Sequence, residues 1–258
     1  MTVKNDAYLI DLDGTIYHGT NPIPAAKRFI ERLQAANIPY LFVTNNSTKT
    51  PEDVAENLTQ NHHIPTTPDQ VYTSALATAD YVKKLAGGKA KKVYLIGEEG
   101  LKIALEDAGL KLVDNQDADY VVMGLDRQFD YHKLTIGTLA IQAGAKFIAT
   151  NADTNLPSEK GMMPGAGSLV AAMQTATGQT PIIIAKPSLP IMEGALDRLG
   201  HPAHPVMVGD NYNTDILAGI NAKIDTLLVY TGVSSRDDIA KVAAKPTYEI
   251  NNFDEWSF

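Results

Sequence analysis

Between Tyr8 and Tyr230, short apolar runs alternate with longer stretches whose apolar residues recur at helical spacing. Few architectures accept that order. Runs of three to five residues, apolar on both faces and bounded by turn residues, read as strands buried within a sheet. The stretches between them carry one apolar stripe each and read as amphipathic helices. Strand and helix in steady alternation build parallel sheets covered by helices on both faces. The expected fold is therefore α/β with a doubly wound parallel-sheet core.

Strands are expected at Tyr8–Ile10, Tyr40–Val43, Val71–Thr73, Val93–Ile96, Tyr120–Met123, Phe147–Thr150, Ile182–Ala185, Val206–Gly209 and Thr226–Tyr230. Helices are expected at Ala25–Ala36, 75–85, 99–108, 132–143, 168–177, 189–199, 214–221 and 235–243. Another opens at Thr50-Pro51-Glu52-Asp53, where a capping residue, a proline and an acid stand in helix-start order. Gly87-Gly88-Lys89-Ala90-Lys91-Lys92, small and basic, is the best linker candidate.

Polar residues with chemical capacity follow several of these strands. Asp11-Leu12-Asp13-Gly14-Thr15 follows the first. Two carboxylates at i and i+2 past a strand project from its carboxyl end, where open α/β sheets place their sites. Acids held so close repel, so one takes a proton or both share a cation. Mg²⁺ suits them, since it prefers a few carboxylate oxygens together with water and phosphate. The pair suggests a carboxylate nucleophile beside a second carboxyl that moves a proton. The bland alternative is an Asp-Gly turn with both acids solvated, and the Asp-x-Asp of nucleotide-sugar transferases is a further rival.

Thr44-Asn45-Asn46 ends the second strand with neutral donors suited to a phosphate oxygen, or forms a simple polar turn. Lys186-Pro187-Ser188 follows Ile182–Ala185; the lysine either neutralises phosphate charge or snorkels at the surface. Gly209-Asp210-Asn211 follows Val206-Met207-Val208, with Asp210 a metal-ligand candidate or a turn acid. Asp215, in the first turn of a helix, is placed to accept from Lys186, to stabilise that helix start, or both. Each is ambiguous alone; the ordered set is not.

A chain of 258 residues suffices for a core domain with an inserted second one. The net charge of −8, from 22 basic and 30 acidic side chains, speaks against a nucleic-acid partner. The absence of cysteine excludes disulfides, zinc-thiolate sites and a thiol nucleophile. No stretch reaches membrane-spanning length and the start lacks a signal-peptide core, so a cytoplasmic protein is expected.

The ordered set resembles the haloacid-dehalogenase superfamily of phosphatases over the whole chain. Asp11–Thr15, Thr44, Lys186 and Gly209-Asp210 with Asp215 match its four motifs in sequence. The Val43–Ser47 form, Tyr72-Thr73-Ser74-Ala75 and Lys186-Pro187-Ser188 are similar to the NagD-like or 4-nitrophenylphosphatase-like subgroup. The resemblance implies a Rossmann-like core at residues 1–81 and 181–258, with an inserted α/β cap at 82–180. It implies Asp11 as nucleophile, Asp13 as acid and base, and Mg²⁺ held by Asp11, the Asp13 main-chain carbonyl and Asp210. Thr44, Asn45, Asn46 and Lys186 would bind the phosphoryl group, with Asn211 and Asp215 behind them. Asn151, Asp153 and Asn155, in a polar cap loop, would contact substrate. Gly165-Ala166-Gly167-Ser168 opens a helix, and tight packing explains its glycines better than anion binding does. The implied activity is hydrolysis of small phosphorylated metabolites such as sugar phosphates, with 4-nitrophenyl phosphate as an artificial substrate. A homodimer through the cap is a further implication. A non-catalytic phospho-ligand binder on the same fold is the alternative.

Overall fold

The structure, a computed structural model, describes residues 5–87, 91–158 and 160–257. The chain divides into two compact units, one of Met1–Thr44, Pro51–Tyr72 and Lys186–Phe258, the other of Asn45–Thr50 and Thr73–Ala185. Both are α/β, as the alternation requires.

The first unit is built on a six-stranded sheet in the order Tyr248–Ile250, Asp225–Val229, Pro205–Gly209, Ala7–Ile10, Tyr40–Thr44, Val71–Thr73. Ala7–Ile10 lies at its middle, wholly buried, and pairs in parallel with Tyr40–Thr44 on one side and Pro205–Gly209 on the other. Early strands extend the sheet one way and late strands the other, so the strand order reverses at Ala7–Ile10. Such a switch point leaves a crevice at the carboxyl ends of the strands. The registers Ile10↔Phe42 and Ile10↔Val208 bring Asp11, Thr44 and Asp210 to that one edge. The Pro24–Ala35 helix covers the sheet with Ala25, Ala26, Phe29, Ile30 and Leu33. Phe29 stacks on Phe253 at 4.7 Å and meets Tyr8 edge-on at 5.5 Å, aromatic geometries that add to the area they bury.

The second unit has a parallel five-stranded sheet in the order Ile182–Ile183, Lys146–Ala149, Tyr120–Met123, Lys92–Ile96, Lys111–Val113. Ile96, Val121, Met123, Val170 and Met173 form part of its core. An antiparallel hairpin, Asn155–Ser158 with Gly161–Pro164, is attached to it.

This unit is wider than the expected 82–180. It starts at Thr73 because the Ser74–Leu85 helix packs on Glu99–Asp107. It takes in Asn45–Thr50 because Ser74 Oγ donates to the Asn45 carbonyl and Gly100 N to the Thr48 carbonyl. It ends at Ala185 rather than 180. Ile182–Ile183 joins its sheet, and Ile184 N and Ala185 N donate to the Ala149 and Thr150 carbonyls. The expected core strand at Ile182–Ala185 is thus a short edge strand of the other sheet. The expected linker runs through residues 88–90, which lie outside the described residues; Lys92, at its end, already belongs to a strand. Among the described residues no helix is long and apolar enough to cross a membrane.

Candidate active site

Lys186 ties the carboxyl edge of the first sheet together. Its Nζ donates to Asp11 Oδ1 at 2.6 Å, Asp215 Oδ1 at 2.8 Å and the Val43 carbonyl at 2.8 Å. The lysine is 2 % exposed and Asp215 1 %, so the snorkelling alternative fails for this residue. Asp215 also accepts from Asn211 N at 3.1 Å, and so both pairs with Lys186 and closes the turn that precedes it. That turn is not the α-helical start expected at Thr214. Tyr212–Ile216 is a π-helical turn, and the α-helix begins at Leu217. One extra residue per turn, common at functional sites, swings Asp215 back toward Asn211.

Asp210, immediately after its strand, is 1 % exposed. Its Oδ1 lies 3.1 Å from Thr15 Oγ1, and its Oδ2 accepts from Val233 N at 2.7 Å. Thr15 Oγ1 is also 3.3 Å from Asp11 Oδ2 and serves either acid with its single hydrogen. Carboxylate oxygens of Asp11, Asp210 and Asp215 lie within 4.8 Å of one another. Asp13 stands apart on the tight turn after the strand, where Gly14 has φ +86°. That left-handed conformation favours glycine.

Burial, and then the neighbouring Asp11 charge, push the Asp210 pKa up to about 6. Asp215 is raised by the same two causes, against the pull of Lys186. Burial alone would lower the Lys186 pKa, but Asp11 and Asp215 outweigh it and hold the ammonium protonated. Asp13 is open to solvent on one side while protein crowds the rest of the carboxyl; this desolvation raises its pKa, with Asp11 adding to the rise and the Gly19 N–H opposing it. Acids gathered this closely repel one another unless a proton or a cation is shared among them. Hard carboxylate oxygens at this spacing fit a divalent ion such as Mg²⁺. Of the three, Asp215 is the one whose carboxylate pairs with the Lys186 ammonium while also closing its own turn through Asn211 N.

Asn45, Asn46, Asn151, Asp153 and Asn155 all fall in the second unit. Asn151 donates to the Asn45 carbonyl at 3.0 Å, and Asn45 Nδ2 lies 3.4 Å from Asp153 Oδ2. Asn46 instead accepts from Thr48 N and Lys49 N, which makes it a turn former. Asn155 opens the hairpin and accepts from Thr154. Gly165 and Gly167 serve packing as expected: a Cβ on either would stand 2.1 Å and 2.3 Å from the Asp153 and Ala152 carbonyl oxygens.

Four contributors escaped the sequence reading of individual residues: Thr15, Thr231, Gly232 and the Val233 amide. Thr231-Gly232-Val233-Ser234 is a small, polar run just past an apolar strand, the same signal that marked the other motifs.

A six-stranded sheet with a switch point, a lysine between two acids and a third acid across from them define a phosphoryl-handling α/β hydrolase. A family model for haloacid dehalogenase-like hydrolases matches residues 8–111, and a second, for HAD-hydrolase-like proteins, matches residues 183–256. The chain belongs to the haloacid dehalogenase-like hydrolases, and within them to the phosphatases. It is 48% identical to the 5'-nucleotidase YutF of Bacillus subtilis over 250 residues, 96% of each chain. The acid sugar phosphatase of Staphylococcus aureus is also 48% identical, over 96% of this chain and 95% of its own. The crystal structure of a double-mutant thermostable NPPase from Geobacillus stearothermophilus superposes with a TM-score of 0.91 at 47% identity, covering 98% of each chain.

Proposed function

We propose that the protein is a Mg²⁺-dependent phosphomonoesterase of small phosphorylated metabolites such as sugar phosphates, working through an aspartyl-phosphate on Asp11. The observation that carries this reading is the Asp11 carboxylate itself. It stands at the sheet's switch point, oriented by the buried Lys186 at 2.6 Å and by Thr15. Relatives named for sugar phosphates, nucleotides and nitrophenyl phosphate support an ester substrate of modest size.

Asp11 attacks phosphorus, and the P–O bond to the alcohol breaks. Asp13, whose carboxyl pKa is raised by burial, supplies the proton to the departing oxygen. Asp13, now ionised, takes a proton from water as the water attacks the phosphorus of the acyl-phosphate. Phosphate leaves and Asp11 is restored. Lys186 and Thr44 hold phosphoryl oxygens, and positioning supplies much of the rate. Mg²⁺, held by Asp11, Asp210 and the Asp13 carbonyl, would neutralise charge on those oxygens. The second unit is assigned as the inserted cap, and choice among esters is assigned to its 150–156 segment.

The test is phosphate release from a panel of phosphorylated metabolites, with Mg²⁺ and with chelator, for wild type and Asp11→Asn. Metal-dependent release, absent in the variant, is expected. Normal turnover by Asp11→Asn would remove the nucleophile assignment, and saturable binding with no release from any ester would favour the non-catalytic alternative.

A further inference from the structure

We infer that residues 231–234, the loop after the Asp225–Val229 strand, are a positioning element that seats Asp210 and the Asp13–Gly14 turn and thereby sets divalent-ion affinity. The inference rests on the metal-dependent reading above and assigns part of that capacity to residues that ligate nothing.

Each of the four residues makes a directed contact. Thr231 Oγ1 donates to the Gly14 carbonyl at 2.7 Å and so holds the Gly14–Thr15 peptide, one unit beyond the Asp13 carbonyl and next to the Thr15 hydroxyl that reaches Asp210. Gly232 lies against Asp210 so closely that a Cβ there would stand 2.0 Å from Oδ2. Gly14 approaches the same carboxylate from its own strand end, where a Cβ would stand 2.5 Å from Oδ2. The Asp210 carboxylate thus has a glycine wall at both contacts. Val233 N donates to Oδ2 at 2.7 Å while Thr15 holds Oδ1, so torsion of the carboxylate is restrained at each oxygen. Ser234 N donates to the Asp210 carbonyl at 3.1 Å, and its Oγ accepts from Tyr212 N at 2.8 Å, which anchors the π-helical turn that carries Asp215.

The loop is otherwise a surface feature. Gly232 is exposed and the Val233 side chain is 69% exposed. Its apolar burial is slight, so its conformation is specified chiefly by inward polar contacts to the acids and their turns. Groups that orient a ligand without touching the metal typically change affinity by about 10–100-fold when lost. The loop belongs to that class.

The experiment is calorimetric titration of Mg²⁺ into the full chain without substrate, for wild type, Gly232→Ala, Thr231→Val and Thr231→Ser. Melting temperatures without ion are recorded alongside. Expected are binding by wild type, affinity weaker by about tenfold or more in Gly232→Ala and Thr231→Val, and near wild-type affinity in Thr231→Ser, which keeps the hydroxyl. If Gly232→Ala does not fold, the two Thr231 variants decide. Unchanged affinity in Thr231→Val, or equal losses in Thr231→Val and Thr231→Ser, would overturn the inference and leave the phosphatase reading standing. No Mg²⁺ binding by wild type would overturn the metal reading and the inference with it.

Discussion

Replacing Asp210 with asparagine should stabilise the ion-free protein while removing its activity, and the size of the effect can be worked out. Burial and Asp11 raise this carboxyl from 3.8 to about 6. At about 1.36 kcal/mol per pH unit, the ionised folded site is disfavoured by ~3 kcal/mol. An acid whose folded pKa is raised contributes stability below its unfolded pKa and loses it as pH climbs through the folded value. Wild type in chelator therefore loses this contribution between about pH 4 and pH 7, and Asp210→Asn has none to lose.

The hydrogen bonds can be rebuilt in the variant. Asparagine Oδ1 accepts from Val233 N, Nδ2 donates to Thr15 Oγ1, and Thr15 turns its hydrogen to Asp11. The bonds to the ionised carboxylate are already part of the shift, so the gain stays at ~3 kcal/mol, or roughly 6–12 °C in the melting of a unit this size. Thermal melts in chelator from about pH 4.5 to 8 should draw together toward the acid end, separate as pH rises to about 6–7 and stay apart above it, with the variant higher. Saturating Mg²⁺ should raise wild type and leave the variant unmoved. Parallel curves, or a variant less stable at pH 7.5, would refute the electrostatic argument.

Lys186→Met strands the buried Asp215 and the half-buried Asp11 carboxyls and should cost about 3–5 kcal/mol; adding Asp215→Asn should recover part of it, and a double-mutant cycle by chemical denaturation measures the coupling. His62 is 2% exposed, stacks on Tyr17 at 4.3 Å, and among the described residues has no hydrogen-bond partner for either ring nitrogen. His62→Phe keeps the stack and removes the stranded polar atoms, so it should raise stability by about 1–3 kcal/mol. Burial, and secondarily His63, lower the His62 pKa. Wild type therefore loses stability as pH falls below the unfolded histidine value near 6.5, and His62→Phe should flatten that limb of a melting-temperature profile.

Charge made the acids and the lysine legible: Asp11, Asp210, Asp215 and Lys186 stood out because ionisable side chains at the tips of apolar runs are conspicuous. The loop at 231–234 works through two amides, a missing Cβ and two hydroxyls, and no ionisable side chain draws attention to its polar run. Tyr120–Met123 was read to the residue because four apolar residues bounded by Asp119 and Gly124 have the length of one buried strand. Ile182–Ala185 was read as a strand of the wrong sheet, since a run apolar on both faces does not say which neighbour it joins. The hairpin at Asn155–Ser158 and Gly161–Pro164 was missed because it lacks alternation, with Met162 and Met163 adjacent and both exposed. Lys111–Val113 and Tyr248–Ile250 were missed because each carries a charged residue and neither is a run apolar on both faces. The π-helical turn is one inserted residue, which no spacing pattern announces.

Electroneutrality gives the lysine bridge a kinetic meaning. Asp11, Asp210 and Asp215 face the single ammonium of Lys186, so the fully ionised cluster carries an excess of two negative charges. A phosphate monoester near neutral pH carries about two more. An ester arriving first meets repulsion in a desolvated cleft, whereas a divalent ion arriving first brings the cluster to balance. On the proposed metal-dependent reading, ion before ester is the order these charges favour, because the ester then enters a cluster already brought to balance.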